Sequence, residues 1–178
     1  MTSLQRTTLL AIACMLSASR LAAQAADPIL GTWALNVARS TFGAGPAPRS
    51  ESRTYVLAGE ETKMTFKSAS EPRTYRTVRQ EIKATSEGVD ADGQATTGEW
   101  TFAYDGQDRP MAGSPDADML SAKRLDAVTT QFTGKKAGRV VLVSTAEISA
   151  EGKVLTIRTK GINARGQTID DVAVFDKR

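Results

Sequence analysis

The chain has no histidine, and its single cysteine is Cys14. These two absences exclude serine–histidine triads, cysteine nucleophiles outside the N-terminal stretch, histidine general acids and ordinary zinc sites. No glycine-rich loop follows a strand and opens a helix, so there is no phosphate cradle of that kind. Any catalysis would fall to carboxylate, lysine or tyrosine chemistry. No run of about 20 apolar residues occurs, so no segment spans a bilayer as a helix. Nothing in the chain calls for a cofactor or a metal.

The longest apolar run is Leu9 to Leu16, which follows a short basic start (Met1 to Arg6) and precedes Ala23-Gln24-Ala25. That order matches an export signal: residues 1–25 are expected to be removed after Ala25, or one residue later after Ala26. The expected location is periplasmic or secreted. Ile12-Ala13-Cys14 loosely matches a lipoprotein site, but Cys14 lies inside the apolar run and does not end it. The remaining chain would carry no cysteine and could form no disulfide. Removing Arg6 and Arg20 lowers the basic count from 23 to 21 against 20 acids. A charge so near zero argues against nucleic acid or anionic lipid as an obligate partner. Residues 26–178, about 150 in number, suit one domain with a core of its own.

Gly31-Thr32-Trp33-Ala34-Leu35-Asn36-Val37 alternates apolar and smaller or polar residues with period two, the pattern of a strand with one buried face. Gly31 marks the turn into it, after Asp27-Pro28. The chain then reads as a series of antiparallel strands. Arg53 to Ala58 and Thr62 to Ser68 suggest a hairpin around Gly59-Glu60-Glu61. Arg73 to Ser86 reads as a long strand, although Tyr75, Val78 and Ile82 also fit a helical face. Trp100, Phe102 and Tyr104 alternate with Glu99, Thr101 and Ala103. Leu120–Leu125 and Val128–Gly134 flank Asp126-Ala127, and Arg139–Ser149 and Lys153–Asn163 flank Ala150-Glu151-Gly152. Thr168 to Phe175 closes the series. Eight to ten such strands hide their edges by closing into an all-β, up-and-down antiparallel barrel.

The string Gly31-Thr32-Trp33…Ser40-x-Phe42 resembles the opening strand of lipocalin and fatty-acid-binding β-barrels, the second group especially. Over most of its length the chain resembles secreted, lipocalin-like (calycin-type) proteins of soil bacteria. The resemblance implies an architecture rather than an activity, with Gly31 and Trp33 as structural residues. Trp33 would plug one barrel end beneath a basic residue, Lys177 or Arg178. Fatty-acid-binding proteins carry a two-helix lid after their first strand. Residues 38–50, with two prolines and two glycines, cannot form one. That family also closes with an Arg-x-Tyr on its last strand, which grips a carboxylate. The matching positions here are Ala173 and Phe175, so Arg158 or Arg76 would have to replace the missing cation.

The candidate ligand-binding residues are therefore Tyr55, Phe66, Trp100, Phe102, Tyr104 and Arg158. The partner they suit is a small, mainly apolar molecule. Two other readings stay open: a filled barrel acting as a structural or interaction module of the envelope, and a carboxylate-dependent hydrolase or isomerase. Asp90-x-Asp92-Gly93 with Glu99 has part of the spacing of a calcium loop. Gly88 would occupy the first ligand position, and Asp-Gly is first of all a hairpin turn signal.

Overall fold

The computed structural model describes residues 26–43, 45–67 and 72–178, and for residues 60–67 and 72–79 the backbone alone. The expected export signal and Cys14 lie outside the described residues. Ten strands follow one another: β1 (Gly31–Leu35), β2 (Ser50–Lys67), β3 (Pro72–Val89), β4 (Ala95–Phe102), β5 (Arg109–Ala112), β6 (Met119–Arg124), β7 (Thr129–Lys136), β8 (Arg139–Ile148), β9 (Val154–Ile162) and β10 (Thr168–Lys177). Each pairs antiparallel with its neighbours in sequence, and β10 returns to β1, closing the sheet. Closure satisfies both edges of the short β1, whose backbone groups would otherwise face solvent. This is an all-β, up-and-down barrel, consistent with a calycin-like fold. Among the described residues no helix is long and apolar enough to cross a membrane.

The barrel is filled at one end only. Trp33, Phe102, Leu155 and Phe175 are fully buried there, with Ile29, Ile82, Ala84, Ala122, Ala146 and Ile148 around them. The segment before β1 caps this end. Asp27 accepts from the Ile29 N–H at 3.1 Å, and the Trp33 Nε1–H donates to the Ile29 carbonyl at 2.7 Å. A buried indole N–H without an acceptor would be costly, so the cap and the plug stabilise one another.

Gly31 takes a φ of +118°, and a Cβ there would meet Lys177 Cε at 3.1 Å. A glycine at this point therefore meets two demands at once, a left-handed backbone and room for the lysine stem.

Two elements differ from the sequence-based expectation. Residues 59–61 make no turn: β2 runs straight through them, with Gly59 in register with Gln80 and Glu61 with Val78. An 18-residue partner, β3, keeps the ladder paired past a glycine that read as a break. Arg73 to Ser86, by contrast, is strand throughout, as expected. Finally, a short β5 intervenes before β6, pairing through only two residues with each neighbour. It contains Pro110, whose missing N–H weakened its strand signal.

Beyond residue 55 on β2 and before residue 82 on β3, the described ladder joins these two strands only to each other. They leave the barrel there as a two-stranded ribbon. Among its described residues the β1–β2 connection holds one 3-10 turn (Val37–Arg39), capped by the Asn36 side chain, and no α-helix. The β3–β4 connection is a plain turn. The Asp90 carboxylate accepts from the Gln94 N–H at 2.8 Å, while Glu99 lies on β4, 2.9 Å from Lys83.

Candidate functional site

Above the packed end the barrel holds a cavity of about 440 Å³, open to solvent at one side. This falls within the range of small-molecule sites, roughly 300–1,000 Å³. Its apolar wall comes from Tyr55, Trp100, Leu120, Phe132 and Ile157, with Phe42 and Met111 also lining it. Small side chains keep the space open. Ser86, Gly98, Gly134, Ser144 and Ala173 all face it, one to a strand across five strands. A Cβ at Gly98 would lie 2.7 Å from Ser86 Oγ, so that hydroxyl would have to turn away to admit one.

The floor is aromatic. Tyr55 meets Trp100 edge-on with centroids 6.5 Å apart and Phe102 at 6.3 Å. Phe102 in turn meets Phe132 at 5.1 Å and 86°. These edge-to-face pairs place the positive ring edge against a negative face, which holds the floor rigid.

One wall is charged. Arg53 and Glu51 stand two and four residues before Tyr55 on β2, on the same inward face, and both line the cavity. The Arg53 Nε–H donates to Glu51 Oε1 at 2.6 Å. The guanidinium lies 4.9 Å from the Phe175 ring centroid and 5.9 Å from that of Trp100. Burial opposes its charge. The Glu51 carboxylate and the Tyr55 hydroxyl outweigh that opposition, and the Arg53 pKa is raised. Burial also pushes the Tyr55 phenol up, against the pull of Arg53. Two further acids on the wall hold backbone groups. Asp171 accepts from the Gly43 N–H at 2.8 Å, and Asp116 accepts from the Ala164 N–H at 2.8 Å.

No family model matches this chain, and no curated protein sequence matches it.

The structure separates the candidate residues. Tyr55 and Trp100 face the cavity. Phe102 is fully buried beneath it, in the packed end. Tyr104 lies past the end of β4 at the capped end, where its hydroxyl donates to Asp27 at 2.8 Å. Arg124 covers its ring at 3.8 Å and also pairs with Asp27. The Phe66 side chain, like that of Arg76, lies outside the described residues. Arg158 corrects an expectation: it is exposed on the outer face and sits 3.8 Å from Glu147, because Ile157 and Thr159 take the inward positions of β9. Of the two clamp positions on β10, Ala173 lines the cavity and Phe175 is buried below it.

The cavity's cation is instead Arg53. Its signal was present in the sequence: the alternation that turns Tyr55 inward also turns Arg53 and Glu51 inward. Charged residues on a strand's inner face run against the usual apolar alternation, which hides them from a reading of pattern alone.

Proposed function

We propose that this barrel binds a small, mainly apolar molecule in its open half and acts, as a carrier or binding protein, outside the cytoplasm. The observation that carries the reading is a cavity of about 440 Å³ with an apolar wall over a rigid aromatic floor. A barrel serving only as a filled module would have no reason to hold five small inward side chains at one level. The signal-like pattern of residues 1–25 supports that location.

Nile red, an uncharged apolar dye, tests the reading. Saturable binding with a rise in dye emission is expected, along with quenching of Trp100 by the dye. Trp100→Phe removes most of that quenching. Trp33→Phe, at the packed end, leaves it. Ala173→Phe fills the cavity from β10 and abolishes most of the binding. An absence of saturable binding, or binding that Ala173→Phe leaves unchanged, overturns the reading.

A further inference from the structure

Arg53 and Glu51 together present an unusual surface to the cavity. Among the described residues, the Arg53 Nε–H is given to Glu51 Oε1, and the guanidinium also meets the Tyr55 hydroxyl. Of its five N–H groups that still leaves Nη donors towards the cavity, with Glu51 Oε2 as an acceptor beside them. Both side chains are about one-quarter exposed, at 24% and 21%, and both border the cavity. No fully buried polar atom among the described residues lacks a partner, so these free groups keep contact with the cavity space. Phe175 and Trp100 flank the guanidinium, and Glu51 holds its Nε edge, which restricts its orientation.

From this arrangement we infer that the cavity selects an apolar ligand whose head group is uncharged and both donates and accepts hydrogen bonds, as a carboxamide does. The inference rests on the ligand-binding reading given above. An amide carbonyl accepts from Arg53 Nη while its N–H donates to Glu51 Oε2, so both free groups are met by one planar ligand group. A carboxylate satisfies Arg53 but sets a second negative charge against Glu51, on a wall that also carries Asp116 and Asp171. Like charge at close range discriminates against that ligand. A protonated amine satisfies Glu51 and leaves the Arg53 donors facing a cation. The guanidinium here is therefore not an anion clamp: its countercharge is already built in, two residues away on the same strand face.

The test is displacement of Nile red from the full-length protein at neutral pH by decanamide, decanoate and decylamine, which share one chain and differ in the head group. Decanamide is expected to displace the dye at the lowest concentration, with about a tenfold advantage over decanoate. Glu51→Gln should abolish that advantage, because removing the built-in charge admits the carboxylate. Arg53→Met should bring the amide towards the affinity set by the chain alone. Decanoate or decylamine binding more tightly than decanamide to the unaltered protein overturns the inference. So do three equal affinities, while leaving the ligand-binding reading standing. Failure of Nile red itself to bind overturns both. The comparison of head groups on the unaltered protein decides the matter even if neither variant folds.

Discussion

Lys177 lies with its Nζ 4.8 Å above the ring of Trp33, from the position directly opposite it in the β1–β10 register. On the other side of β1, Trp33 is in register with Arg53. One residue of the five-residue β1 thus links the outer cap, through Lys177, to the charged wall of the cavity, through Arg53. The indole is fully buried between them and anchored to the Ile29 carbonyl.

Removing that indole empties the packed end. Trp33→Ala is expected to lose about 3–5 kcal/mol of stability, the range for a large buried aromatic. Urea unfolding beside the parent protein measures it, and a loss under about 1 kcal/mol would place Trp33 outside the core.

Gly31→Ala is expected to cost about 1–3 kcal/mol, because an L side chain is strained at its left-handed φ. The crowding against Lys177 Cε at 3.1 Å is a smaller matter, since a flexible stem can shift. Denaturation of Gly31→Ala with and without Lys177→Ala separates the two. Backbone strain predicts that the penalty survives in the double variant.

Arg109, the first residue of β5, ties the loop after β4 to the middle of β3. It is in bidentate contact with Asp105 at 2.8 and 2.9 Å and also reaches Glu81 at 3.1 Å. Its hydrogen bonds, with that from the Gln107 N–H, hold the Asp105 carboxyl well below the usual carboxylate range. A depressed pKa contributes stability above the unfolded value of about 4 and loses it as pH falls through the folded value. Asp105→Asn should therefore be less stable than the parent at neutral pH and converge with it in strong acid. Its side chain is 38% exposed, so screening keeps the difference to about 1 kcal/mol or less. Thermal melts across the acid range measure that convergence.

At the alkaline end the sign reverses. Burial raises the phenols of Tyr55 and Tyr104, and the Asp27 carboxylate adds to the shift of Tyr104. A neutral phenol is favoured in the fold, so this contribution is full below the unfolded value of about 10 and is lost as pH rises towards the folded values. With no histidine in the chain, stability should be nearly flat from about pH 6 to 9 and fall above it. Ultraviolet titration should show phenolate from these two tyrosines only above the ordinary range. Normal titration of both would show that the rings are wet.

Much of the architecture was legible because period-two alternation and short turns are local properties. Trp33, Trp100 and the pairs around Asp126-Ala127 and Glu151-Gly152 could be assigned to strands without knowledge of their neighbours. Local patterning fitted Arg73 to Ser86 to a helical face as well as to the strand its neighbours favoured, while two prolines and two glycines excluded a helical lid from residues 38–50. It failed at Gly59, where a local turn signal was outweighed by an uninterrupted ladder of cross-strand bonds with β3.

By itself the sequence determined the face each side chain takes and the chemistry that histidine and cysteine cannot supply. The tertiary structure alone decided depth. Trp100, Phe102 and Tyr104 follow one alternation, yet they occupy the cavity wall, the packed floor and the capped end in turn. Alternation is blind to this because it records which side of the sheet a residue faces, not its height along the barrel. Height depends on how far each strand is staggered against the next when the sheet closes. That stagger brings the small residues of five strands to one level to leave a cavity, and sets Arg53 and Glu51 facing it.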